Sequence, residues 1–578
     1  MFPVSKAIDW LVAYPFHTVP LLVLLGTVLK SFRTRRRNPN GLPLPPGPKG
    51  WPIVGNLFDM PRDKPWVVYH KWFQVYGDMI YFEVLGQPFL ILGSLKRTSD
   101  LFDKRSTNYS DRLRMPMVLE LRMETADIIC TRMHWDYNMA MLPYGTWWRR
   151  HRRAFQEYFH QNVVSKYQPI QSREVRAFLH RLLTSPDKFM HHIRHQPSFL
   201  ITPPLTVYSN LLFLSSTFAA TIMSVAYGIS VKDSDDPYIS RAEEALEGLA
   251  EAGIPGSFLV DIMPILKYVP SWFPGAGFKR KAAHWRALNH QVSELPFEYV
   301  EEQVKKGTAV PSVAAALIEH LPAEDHPLYA EERRIAQDTA AVAYVGGADT
   351  TVSSVQAFFL AMALYPEVQR RAQAEIDAVV GNDRLPDFSD RDALPYINAL
   401  VKETVRWNLV IPMGASYPTV FSIALRSYLL AVGHMCSEDD EYDGYFIPKG
   451  TVVLGNGWSI LHDPTAFSHP MEFRPEHYLK DGKLDPNARN PDCAAFGYGR
   501  RLICPGRHMS DNSLYAIVSS VLAVYDIKPP LDEHGKDVKL KPEFTSGLLS
   551  YPVPFQCSIK PRSGLAESLI RDCIEVDH

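Results

Sequence analysis

One string near the C-terminus concentrates residues able to do chemistry: Ala495-Phe496-Gly497-Tyr498-Gly499-Arg500-Arg501-Leu502-Ile503-Cys504-Pro505-Gly506. After it, Leu514, Ile517, Val518, Val521 and Leu522 recur with the spacing of an amphipathic helix. The cysteine thus sits where a helix begins, near the positive end of its dipole and among arginines, and both influences favour thiolate. Pro505 suits a first helical turn, where its missing N–H costs nothing. The glycines let backbone approach a flat ligand closely and leave N–H groups to bond the sulfur. A lone cysteine at a helix start is most often a buried structural residue, and the whole string reverses that reading.

Three other stretches carry possible chemistry. In Trp147-Trp148-Arg149-Arg150-His151-Arg152-Arg153, Trp148 and Arg152 lie one helical turn apart and share a face. An indole N–H and a guanidinium together clamp a carboxylate, although alone the stretch reads as a solvated basic face. Glu331 to Leu364 reads as one long helix with Gly346-Gly347-Ala348-Asp349-Thr350-Thr351 at its middle. Two interior glycines cost roughly 1 kcal/mol each relative to alanine. Asp349 and Thr350 also favour local side-chain bonds over helix continuation. The helix is weakened at one point, as at a functional site or a packing notch. Glu403 and Arg406 stand at i, i+3 on a further helix, a weak signal in isolation.

Taken together, these strings resemble the cytochrome P450 superfamily. Its haem loop runs Phe, two residues, Gly, one, Arg, one, Cys, one, Gly; Phe496, Gly499, Arg501, Cys504 and Gly506 fill the named positions. Leu502 and Ile503 depart from it, because the pattern leaves one residue between Arg and Cys. The resemblance implies a haem b cofactor with Cys504 as axial iron ligand and Trp148 and Arg152 on its propionates. It places Gly347 in an oxygen groove, where Asp349 and Thr350 deliver protons. Glu403 and Arg406 match a buried Glu-x-x-Arg pair that a downstream arginine completes; here Pro475-Glu476-His477-Tyr478 puts His477 in that place. The implied fold is mainly α with a small β-sheet, and the implied reaction inserts one atom of O₂ into an apolar small molecule. Electrons would come from an NADPH-cytochrome P450 reductase docking on Arg149, Arg150 and Arg153. Asp440–Gly450 and Trp272–Ala276 look like basidiomycete members of secondary metabolism, a tryptamine 4-hydroxylase among them. Haem-thiolate isomerases or dehydratases, which tend to lack the threonine, form the alternative class, and a mis-spliced inactive product is another.

These residues need a scaffold, and 578 residues, 46% of them hydrophobic, can bury a large core. A formal charge of −2 gives no reason to expect nucleic acid as a partner. The six cysteines form no C-x-x-C pair, which argues against zinc or a disulfide framework. Ile8 to Leu29 is mostly apolar and Arg33, Arg35, Arg36 and Arg37 follow, as in an uncleaved anchor with its basic end cytoplasmic. The expected plan is an anchor over 1–30, a basic and Pro-rich hinge over 31–61, and one catalytic domain over 62–578. The body would face the cytosol from the endoplasmic reticulum. Strand-like runs stand at Met79–Leu85, Phe89–Leu92 and Gly444–Val453.

The pocket should be lined by the segment before Trp147, by Ala343–Thr350, by Val410–Met413 and by Ser546–Leu548. Gly253–Pro274 would form an entrance loop at the bilayer surface. Residues 196–217 carry no Asp, Glu, Lys or Arg and interrupt two helical patterns; residues 415–431 similarly separate a helix from a strand. Both read as retained introns, since long structureless insertions in a compact domain are uncommon. Residues 122–132 and the surplus residue at 502–503 read as smaller errors of the same kind.

Overall fold

The computed structural model describes residues 36–578 apart from 62, 114–134, 194–216, 233–235, 253–257, 259, 261–263, 414–432, 500–503, 547–548 and 576–578. The expected anchor, Arg501, Leu502, Ile503, segments 122–132 and 415–431, and all of 196–217 except Thr217 therefore lie outside the described residues. Among those described, no helix is long and apolar enough to cross a membrane.

Helices dominate, as their apolar periodicity requires: α1 (Pro65–Tyr76), α2 (Thr146–Phe159), α3 (Gln168–Thr184), α4 (Thr217–Tyr227), α5 (Pro237–Ala252), α6 (Gly277–Lys306), α7 (Tyr329–Ala348), α8 (Thr350–Leu364), α9 (Pro366–Val379), α10 (Pro395–Trp407), α11 (Arg507–Val524) and α12 (Gly564–Glu575). Every residue of α8 from Thr351 to Ala363 is buried, so the helix has no polar face. It joins α3 and α11 in one apolar cluster, whereas α2, α4, α6 and α7 share another. The stripe foreseen after Cys504 is buried in α11.

A small sheet completes the domain. Its strands are β1 (Met79–Val84), β2 (Gln87–Leu92), β3 (Asp111–Arg112), β4 (His434–Met435) and, after the separate hairpin β5 (Asp440–Tyr442) and β6 (Tyr445–Ile447), β7 (Val452–Gly455). The order is β1-β2-β7-β4-β3, with β2 and β7 parallel. The run expected as one strand over Gly444–Val453 is two, β6 and the start of β7, split where Gly450 takes a left-handed φ of 83°. In β3–β4, Arg112 stands opposite His434.

The described part of the expected hinge bonds to the body: the Pro43 carbonyl accepts from the Phe446 N–H (2.9 Å) and that of Pro46 from the Tyr81 N–H (2.8 Å). Prolines have no N–H to give a sheet but keep their carbonyls, so the segment lies along the body as an acceptor edge. Thr217, placed in the first suspected insertion, begins α4 and is buried. Its Oγ1 donates to the His192 carbonyl (3.2 Å) and accepts from Arg181 (2.8 Å), so the two chain ends flanking residues 194–216 meet.

Candidate active site

The cysteine string folds as a loop closed on itself. The Cys504 N–H donates to the Phe496 carbonyl (2.8 Å), bringing the two ends together. Gly499 has φ +68°, and a Cβ there would lie 2.4 Å from the Phe102 carbonyl oxygen, so this position needs glycine. Pro505 falls in the turn before α11, not in its first turn; Gly506 is the N-cap and the helix starts at Arg507. The Cys504 thiol keeps accessible surface although protein surrounds it, which places it in a recess. Burial raises its pKa above the usual thiol value. The N–H groups of Gly506 and Arg507 and the charges of Arg152 and Arg507 pull the other way. Desolvation is the largest of these influences, ahead of the helix N–H groups and the arginines.

Trp148 and Arg152 share a face of α2 as expected, with Trp148 buried and packed on Tyr144 at 5.3 Å. Arg152 is desolvated, which lowers its pKa, and its charge reaches Cys504. Not all the other arginines face outward. Arg149 and Arg153 are exposed, but Arg150 pairs with Glu331 (2.5 Å) and Glu332 (2.8 Å) at the start of α7.

Sequence reading missed a group beside the loop. Phe102, whose carbonyl Gly499 approaches, stacks on His434 with ring centroids 4.0 Å apart. His434 is 2% exposed, and its register partner Arg112 is 3% exposed. Buried cationic and ring N–H donors beside a recessed cysteine fit a flat group bearing carboxylates, which is what haem b presents. Arg112, Trp148, Arg152 and His434 would hold the carboxylates and Cys504 the iron. Only the facing of two short strands brings Arg112 to His434, so no local pattern announced them.

The long helix is interrupted where its composition is weakest. Asp349 has φ −117° and ends α7, and α8 begins at Thr350. Thr350 Oγ1 donates to the Gly346 carbonyl at 2.9 Å. A Cβ on Gly347 would sit 2.9 Å from Ile222, whereas one on Gly346 would meet nothing within 4 Å. Gly347 thus packs closely on Ile222, and the open side of the helix belongs to Gly346. Asp349 Oδ2 accepts from the Tyr551 hydroxyl at 2.5 Å, a contact the sequence did not announce.

Glu403 and Arg406 are both fully buried. Arg406 Nε and Nη2 grip the Glu403 carboxylate at 2.7 Å each. The remaining guanidinium hydrogens go to the carbonyls of Leu461, Pro470 and Glu472, so all five are used. His477 stands where the motif expects arginine. Its Nδ1 lies 3.3 Å from Glu403 and its Nε2 2.7 Å from the Ser468 carbonyl, so the ring bridges the two.

Of the expected pocket walls, Met139, Met141, Leu142, Ala343 and Met413 are buried in one apolar cluster. Leu548 lies outside the described residues. In the described part of the entrance loop, Tyr268, Trp272 and Phe273 are exposed.

A helical body, a recessed cysteine at a helix start and buried donors for an anionic flat group define a haem-thiolate type of site. The chain belongs to the cytochrome P450 family, whose family model matches residues 45–559. It is 48% identical over 535 residues to the cytochrome P450 monooxygenase COX2 of Coprinopsis cinerea, covering 93% of this chain and 92% of that one. It is 39% identical over 547 residues to the tryptamine 4-monooxygenase of Psilocybe cyanescens, covering 94% and 97% respectively. The enzyme is thus a P450 monooxygenase of fungal type with haem b as its cofactor.

Proposed function

We propose that this enzyme hydroxylates an apolar small molecule in fungal secondary metabolism, drawing electrons from an NADPH-cytochrome P450 reductase. Bound haem, with Cys504 as thiolate ligand, supplies the electron-rich iron that favours O–O cleavage. The chain's own part is to bind and orient that group through Arg112, Trp148, Arg152 and His434, to exclude water, and to bring protons to the distal side. The observation that carries this reading is the helix break: it sets an acid, Asp349, beside a hydroxyl, Thr350, whose oxygen is held over the open side at Gly346. The relative named for tryptamine is consistent with an aromatic or apolar substrate, without naming this one.

Thr350→Ala is the test. NADPH should still be consumed while peroxide replaces product; an unchanged ratio of product to NADPH would move the relay elsewhere. An isomerase would need no NADPH at all.

Residues 1–30 act in this reading as a membrane anchor in the endoplasmic reticulum, with the body in the cytosol. Deleting residues 1–37 should release the protein from membranes with its haem intact; full retention would point to the Gly253–Pro274 loop. Residues 196–217 and 415–431 are read as retained introns, and the meeting of His192 and Thr217 supports the first, with its boundary before Thr217. A mature transcript encoding both, with a normal haem spectrum, ends that idea.

A further inference from the structure

We infer that Tyr551 is a positioning residue for proton delivery, acting through Asp349; this rests on the reading of Asp349 and Thr350 as the relay. Asp349 and Ser353 stand one helical turn apart, on either side of the first residue of α8. Both bond to consecutive residues of one C-terminal turn: the Tyr551 hydroxyl donates to Asp349 Oδ2, and the Ser353 hydroxyl donates to the Ser550 carbonyl. The break is therefore clamped from outside its own helices, with Thr350 between the two grips.

The turn is itself held firmly. The Thr545 N–H donates to the Tyr551 carbonyl (2.7 Å) and the Tyr551 N–H to Thr545 Oγ1 (2.9 Å). The Ser550 N–H donates to the Val410 carbonyl (2.8 Å), in the segment that follows α10. Asn408 Nδ2 donates to Ser353 Oγ at 3.0 Å, closing a buried polar network across three parts of the chain. Such a network fixes geometry because each broken bond strands a buried partner.

The Asp349 carboxylate stands at a helix break, where the chain's regular bonding stops. A phenol donating to one oxygen selects the carboxylate's rotamer and directs the group along the helix. Losing an orienting partner of this kind costs activity without removing the working group. Tyr551 neither touches the reacting atoms nor carries the proton in this scheme.

The experiment compares the haem-loaded enzyme encoded by the mature transcript with its Tyr551→Phe, Asp349→Asn and doubly substituted forms, using purified reductase and no added substrate. Tyr551→Phe keeps the ring and its packing. It should slow NADPH oxidation by roughly tenfold, a part of the roughly 10²- to 10⁴-fold that positioned acid–base groups contribute. It should also enlarge the solvent deuterium effect without raising the fraction of peroxide. Asp349→Asn should slow oxidation at least as far, and adding Tyr551→Phe to it should change nothing further. Isotope-edited infrared spectra of the resting enzyme give a readout independent of turnover: the Asp349 carboxylate stretch should move in Tyr551→Phe. A stationary band, an unchanged or faster rate, or additive effects would overturn the proposal. If Asp349→Asn itself leaves the rate intact, the relay reading fails first, and Tyr551 falls with it.

Discussion

Two carboxylates in this protein sit in opposite conditions. Glu403 is fully buried and accepts from Arg406 twice, from the Arg474 N–H at 2.7 Å and from His477. Asp349 lies partly exposed at a helix break, gripped by a phenol from a distant turn. The first is saturated on a continuous helix, and the second sits where the helix stops. A carboxylate that holds a fold together needs every lone pair occupied, because one uncompensated buried charge is costly. A carboxylate that passes protons must stay reachable.

Amide substitution at each site tests that contrast most strongly. Glu403→Gln should cost about 3–5 kcal/mol, since it strands Arg406 in the interior. Haem release on heating should then come at a much lower temperature. Asp349→Asn should leave that temperature nearly unchanged, within about 1 kcal/mol, and show its effect in turnover alone. Equal losses of stability would erase the distinction.

The next effect is smaller. His477→Ala removes one of the four donors to Glu403 and a bond to the Ser468 carbonyl. Hydrogen bonds to a charged group contribute about 1.5–3 kcal/mol, and the three remaining donors soften the loss, so a cost near the lower value is expected in denaturant titration. A cost matching Glu403→Gln would mean that the histidine, not the arginine pair, governs the cluster.

The smallest effect belongs to the rim. Arg371 pairs with Glu476, but their side chains are 58% and 39% exposed. Arg371→Ala should cost less than about 1 kcal/mol, as exposed pairs do. Its midpoint should also move least with salt if the Tyr396 ring, 4.6 Å from the guanidinium, holds more of it than the charge does.

The ease of reading these sites from sequence follows the same divide. Cys504, Trp148 with Arg152, Asp349 with Thr350, and Glu403 with Arg406 each sit within one short string, so their spacing on a helix or loop was visible. The break at Asp349 was visible too, because glycine and β-hydroxyl residues weaken a helix locally. Tyr551 was not, since 202 positions separate it from Asp349 and a single tyrosine in a turn has no pattern. Arg112 and His434 were hidden for the same reason, joined only by strand pairing. The burial of Cys504 was hidden in another way: the dipole and arginines can be counted in a string, but burial cannot. Arg150 looked like its neighbours until α7 brought it two glutamates.

The contact between His192 and Thr217, both buried, makes this junction a defined point of chain closure. Two chain ends already within hydrogen-bonding reach can be rejoined by a short peptide or separated by a long one. The entropy of closing the loop grows slowly, by only about 0.6 kcal/mol for each doubling of length.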